Sequence, residues 1–115
     1  MSKMLVMLIT GKDNINAEMV AFSFAFNAVK NAKAKVELLF LGRGVQAANK
    51  NQKSSPQFLE QINMLMAEGI PLRICKVSMA GEGLTENDIF PKLESVYGGV
   101  EVDARIQDGY SVITF

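Results

Sequence analysis

The run Met4-Leu5-Val6-Met7-Leu8-Ile9 is apolar at every position and stops at Thr10-Gly11. A strand with one wet face alternates apolar and polar residues, whereas an unbroken apolar run is the pattern of a strand buried on both faces. Such a strand needs cover above and below, and the following segments offer it. Asn16 to Ala32 is rich in Ala, Phe and Met with neither Gly nor Pro, which predicts a helix with Asp13, Asn14 or Asn16 as cap. Lys35 to Leu41 (K-V-E-L-L-F-L) returns to strand composition and ends at Gly42-Arg43-Gly44, read as a turn. Asn49 to Ser55 is polar and predicts an exposed loop.

Ser55-Pro56 then opens a second helix, with Ser55 as N-cap, Pro56 at the first helical position, and Phe58, Ile62 and Leu65 as its buried stripe. Gly69 and Pro71 close it. Leu72-Arg73-Ile74-Cys75 is a third strand, Thr85-Glu86-Asn87-Asp88 a capping box that starts a short helical turn, and Tyr110 to Thr114 a closing strand. Gly98-Gly99 breaks the chain before a helix over Val100 to Gln107, and the faintest strand signal lies between Glu94 and Tyr97. The order β-α-β-α-β predicts an α/β fold, a three-layer α/β/α sandwich with a mainly parallel sheet of about five strands. At 115 residues and 12.6 kDa, residues 1–115 are expected to form one domain.

Composition removes several function classes. Twelve basic and twelve acidic side chains cancel, so no net field draws the chain to nucleic acid or acidic lipid. The chain has no histidine, which excludes Ser-His-Asp and Cys-His catalysis and zinc sites with an imidazole ligand. One cysteine, Cys75, excludes an internal disulfide and a Cys-x-x-Cys site. Thr10-Gly11 and Gly42-x-Gly44 match neither the dinucleotide nor the P-loop spacing. No hydroxyl-rich flavin loop is present, and Cys75 stands where a receiver domain would need an aspartate. No metal and no organic cofactor is expected. The apolar stretch near the N-terminus is shorter than a signal-peptide core and no window reaches a membrane span, so a cytoplasmic chain is expected.

In an open parallel sheet, ligands and reactive groups gather beyond the carboxyl ends of the strands. That edge holds Thr10 to Asp13, then Gly42 to Gly44, then Cys75 with Lys76 and Ser78. The only thiol thus shares a rim with Lys12, Arg43 and Lys76, and positive charge favours thiolate. From the residues alone two readings stay open: Cys75 as a reactive thiol supported by Lys12, Arg43, Lys76 and Ser78, or as a small apolar plug. The first helix adds a second question. At about 100° per residue, Met19, Phe22, Phe26 and Val29 share one face, while Ala17, Phe24 and Ala28 lie far round from it. The surplus, Phe24 above all, is either a surface for another protein or a contact within the chain.

The chain resembles the DsrE/DsrF-like sulfur-relay family. The resemblance is carried by M-L-V-M-L-I-T, by the Ala- and Phe-rich helix, by F-L-G-R-G-V, by A-E-G-I-P-L-R-I-C-K-V-S-M-A-G-E-G-L and by the terminal V-I-T-F, in that order over nearly the whole length. It implies a three-layer α/β/α fold, assembly with itself into a homotrimer or hexamer, and a cysteine that carries persulfide between donor and acceptor proteins. By position Cys75 matches the sulfur-accepting cysteine and Gly83-Leu84 a downstream glycine segment, before which this chain has Glu82 where relatives often have a basic residue. With the resemblance, the leading expectation is a sulfur carrier acting as a sulfurtransferase on its own side chain. The alternative keeps the fold and oligomer as a binding or assembly module in which Cys75 only packs.

Overall fold

The computed structural model describes residues 1–11 and 14–115. Five strands, β1 (Lys3–Leu8), β2 (Lys35–Phe40), β3 (Leu72–Cys75), β4 (Glu94–Val96) and β5 (Ser111–Thr114), form one sheet in the order β4-β3-β2-β1-β5. Every pairing is parallel. Between the strands run α1 (Ile15–Ala32), α2 (Ser55–Ala67), α3 (Lys76–Gly81) and α4 (Gly98–Gln107), with 3₁₀ helices over Gly42–Ala48 and Glu86–Asp88. This is the expected α/β/α arrangement, and even the faint fourth strand is present. Among the described residues no helix is long and apolar enough to cross a membrane.

The chain steps β1, β2, β3, β4 in one direction across the sheet, and right-handed crossovers put the intervening helices on one face. It then returns over the other face to lay β5 beside β1, so α4 covers the opposite side. The two cores differ accordingly. On the α1–α2 face, Val6, Leu8, Leu38, Phe40, Leu72 and Ile74 pack against Phe22, Phe58, Ile62 and Leu65. The Phe22 ring lies 6.1 Å from Phe40 and 6.0 Å from Phe58. Each such side chain contributes about 1.5–3 kcal/mol through burial, so this face supplies most of the apolar stabilisation. Among the described residues, the apolar cluster on the α4 face has Leu5, Leu39 and Tyr110 at its centre, with Met7, Leu41, Val96, Val102 and Val112 half-buried beside them.

Several local expectations shift. The cap of α1 is Asn14, whose side chain accepts from the Ala17 N–H at 3.2 Å, while the alternative Asp13 lies outside the described residues. The buried stripe of α1 is Glu18, Ala21, Phe22 and Ala25, and Met19, Phe26 and Val29 are only half-buried. The small alanines bring the helix close to the sheet, so the larger side chains fill its flanks. Helix α2 begins one residue earlier than expected, with Ser54 as cap and Pro56 second in the helix, because the Ser54 carbonyl already accepts from the Phe58 N–H at 3.2 Å. Gly98-Gly99 is not a break but the first turn of α4. The capping box stands: the Asp88 carboxylate accepts from the Thr85 N–H at 2.9 Å and from its hydroxyl at 3.0 Å.

Gly42-Arg43-Gly44 is not a simple turn either; it opens a 3₁₀ helix that folds back over the end of β1. A Cβ on Gly44 would stand 1.9 Å from the Leu8 carbonyl oxygen, so only glycine lets the two backbones approach. Gly44→Ala is expected to cost about 3 kcal/mol or more by forcing them apart, read as a lowered denaturant midpoint. A wild-type midpoint would mean that the 3₁₀ helix retreats freely.

Candidate functional site

Cys75 is the last residue of β3 and the N-cap of α3, a short helix that the sequence did not reveal. Helix α3 packs Met79 into the α1–α2 core, whereas α4, which follows the neighbouring strand β4, lies on the opposite face. The Cys75–Val96 pairing sets the ends of these two strands side by side. Cys75 therefore occupies the place where successive helices leave the sheet in opposite directions, which is where open α/β sheets form their binding crevice.

The sulfur is enclosed: Cys75 is 4% exposed. Its Sγ accepts from the Ser78 N–H at 3.5 Å. The Ser78 hydroxyl oxygen in turn accepts from the Gly42 N–H at 2.8 Å, which leaves the hydroxyl proton free to point to sulfur. On the other side stands Gly98, the first residue of α4. A Cβ there would lie 3.2 Å from Sγ and 2.6 Å from the Leu41 side chain, so the helix start reaches the thiol only because this residue is glycine. Burial pushes the thiol pKa up, but the Ser78 side chain and the backbone amides of Ser78, Gly98 and Val77 outweigh it and hold the thiol below its ordinary value. These hydrogen bonds favour the thiolate, the form that attacks sulfur.

The sequence-predicted supports fare differently. Ser78 is in direct contact with the sulfur. Lys76 is exposed and its ammonium sits 5.2 Å from the centre of the Tyr97 ring. Arg43 is exposed on the rim, next to the Gly42 amide that bonds Ser78. Lys12 lies outside the described residues. The leading supports of the thiolate are thus hydrogen bonds, where the sequence pointed to cations. Gly98 was missed because it does not announce itself without knowing which strand ends meet, and Gly42 was placed on the edge but not as the donor to Ser78. Among the described residues no three Cys, Asp or Glu side chains gather in a way that could hold a metal ion.

Toward the start of the strands from the thiol, on the same face, lies a polar cluster. Glu37, 4% exposed, accepts from the Tyr110 hydroxyl at 2.6 Å and from Arg105 Nη1 at 3.2 and 3.1 Å, and it pairs with Arg73. Arg73 also pairs with Glu101 at 3.1 Å and with Glu94 at 3.1 Å. Burial pushes the Glu37 carboxyl up, but Tyr110, Arg73 and Arg105 together hold it below the usual value of 4.5. Burial and the neighbouring Glu37 carboxylate push Tyr110 up to about 12, so its hydroxyl stays a donor. The signal was present in the sequence: Glu37 and Arg73 are the only charges inside otherwise apolar stretches of β2 and β3.

Removing the hydroxyl at the thiol should be measurable. Ser78→Ala is expected to move the pH midpoint of Cys75 alkylation upward and to slow the reaction at pH 7 about tenfold, the equivalent of one hydrogen bond to a charged acceptor worth about 1.5 kcal/mol. An unchanged rate would take the hydroxyl out of the site.

Comparison with solved structures places the fold. The ychN protein from E. coli superposes with a TM-score of 0.81 at 16% identity, covering 100% of both chains. The MTH1491 protein from Methanobacterium thermoautotrophicum gives 0.80 at 16% identity, again over 100% of both chains. The BT1422 protein from Bacteroides thetaiotaomicron gives 0.73 at 18% identity over 99% of this chain and 95% of its own. At these identities the likeness is one of fold alone. No curated protein sequence matches the chain. The model of the DsrE/DsrF-like family, however, matches residues 3–115, and with that extent the chain belongs to the DsrE/DsrF-like family.

Proposed function

We propose that this protein is a cytoplasmic sulfur carrier that holds persulfide sulfur on Cys75 and passes it between a donor and an acceptor protein. The observation that carries the reading is the surroundings of the sulfur: a lone thiol at the switch point of a parallel sheet, lowered below its ordinary pKa by donors from two helix starts. The chemistry is thiol exchange without net oxidation. The Cys75 thiolate attacks the outer sulfur of R–S–SH; a new S–S bond forms, the old one breaks, and R–S⁻ leaves and takes up a proton. An acceptor thiolate then attacks the outer sulfur of Cys75–S–SH and returns Cys75 as thiolate. Neither half requires a metal or an organic cofactor. Val77 and Tyr97, largely exposed just beyond the ends of β3 and β4, offer apolar contact to a protein docking over the thiol.

A second reading, an assembly module in which Cys75 only packs, rests on the near-complete enclosure of the sulfur. Incubation with a persulfide donor separates the two. The carrier is expected to gain one sulfur atom in intact mass, and Cys75→Ser to lose that gain while keeping its fold. If the wild type takes up no sulfur and Cys75 resists thiol reagents until the protein unfolds, the packing reading replaces the carrier.

Self-assembly into a homotrimer or a pair of trimers belongs to the same proposal. Phe24 is half-buried, its ring 5.2 Å from Phe115, and with Met4, Val20 and Ala28 it lines an apolar surface cleft of about 550 Å³ along α1. The in-chain contact accounts for part of the surplus on α1, and the cleft leaves the rest exposed. Light scattering at micromolar concentration is expected to give an oligomer, and Phe24→Glu to weaken it by placing an unpaired charge in the contact. A wild-type monomer would remove the assembly, and an unchanged oligomer in the variant would put its interface elsewhere.

A further inference from the structure

The helix that reaches Cys75 is held to the sheet in an unusual way. Helices α1 and α2 are docked by buried apolar side chains, but in α4 the only buried residue is Gly98 itself. Val102 is its one side chain in the small apolar cluster, while Val100 and Ile106 face solvent. Gly98, Glu101, Val102 and Arg105 are spaced i, i+3, i+4, i+7 and so form one stripe, the one that faces the sheet. Opposite it on β3, Arg73 and Cys75 are two residues apart on one face, about 6.6 Å along the strand. The contacts Gly98–Cys75, Glu101–Arg73 and Arg105–Glu37 are therefore successive rungs of a single helix-to-sheet contact.

We propose that Arg105 and Glu101 are positioning residues for Cys75: tied to Glu37 and Arg73 on the sheet, they fix α4 so that the start of the helix stays against the sulfur. This deepens the carrier reading, since it rests on Cys75 as the reacting group. The Cys75–Val96 strand pairing and Val102 hold the start of the helix, and with so little apolar burial beyond them the ion pairs are what tie the rest of α4 to the sheet. Loosening the ion pairs withdraws the Gly98 amide from the sulfur and at the same time uncovers it. Among the described residues, the charged and titratable groups around these rungs are Glu37, Arg73 and Glu94 from the sheet, Glu101 and Arg105 from α4, Tyr110 and Asp108 before β5, and Lys3 and Lys35 over the Tyr110 ring. Next to the thiol along the chain and across the strand pairing, among the described residues, are Lys76, which follows Cys75, and Tyr97, which follows its partner Val96.

The test is the pH profile of iodoacetamide alkylation of Cys75 in the full chain, for wild type, Arg105→Met, Arg105→Lys and Glu101→Gln. The expected result is a midpoint raised by about one pH unit in Arg105→Met, with a plateau rate at alkaline pH several-fold above wild type. Arg105→Lys, which keeps the charge without the fork, should fall between the two. A wild-type midpoint in both Arg105→Met and Glu101→Gln, with wild-type helix content by circular dichroism, overturns the proposal. If Arg105→Met does not fold, Glu101→Gln decides alone, because it keeps the Arg105–Glu37 pair. No sulfur donor enters this measurement, so a raised midpoint in a protein that takes up no sulfur would support the positioning role while ending the carrier reading.

Discussion

A carboxylate in the middle of a sheet is the constraint around which one half of this molecule is arranged. Glu37 lies on β2, the central strand, and is almost fully buried. An ionised carboxyl in that position costs several kcal/mol unless it is paired and hydrogen-bonded. The pairing draws on β3 through Arg73, on α4 through Arg105 and on the start of the last strand through Tyr110. These elements are far apart in sequence, and the acid makes them meet. It also explains why the α4 face carries so few large apolar residues: its centre is already occupied by charge.

The opposite face follows the ordinary logic of a hydrophobic core, and this asymmetry decides what can move. Interlocked aromatic rings between α1, α2 and the sheet leave no slack, because close-packed interiors do not deform gradually. The contacts of α4 are directional and few, and some of them reach solvent. Under the proposed carrier function, a sulfur that is sheltered and yet handed over calls for one rigid wall and one wall that can give. Here the rigid wall carries the sheet and the thiol, while the sparsely packed one brings Gly98 to it.

Much of this was legible in the sequence because strand and helix periods are written in consecutive residues. The apolar run of β1, the Ser-Pro entry to α2 and the Thr85–Asp88 box all act within a few positions of themselves. Even Cys75 could be placed, since a strand end in a parallel sheet has a defined side. What escaped depends on strand order. Gly98 read as a breaker because its value lies in a sulfur 23 positions upstream, across an edge that the sequence does not draw. Where a rim cation points was not legible for the converse reason: closeness in sequence says nothing of the direction of a long, flexible side chain, and Lys76 turns to an aromatic ring.

The N-cap of α3 is a sulfur, and that choice has a cost visible without any assay. Helix starts favour Ser, Thr, Asp or Asn, whose compact oxygens approach an amide closely. Cys75 accepts at 3.5 Å, a long reach for the same task. The larger sulfur spans a gap to the Ser78 amide that is too wide for an ordinary N–H to oxygen bond, so the start of α3 is built to the size of this one atom.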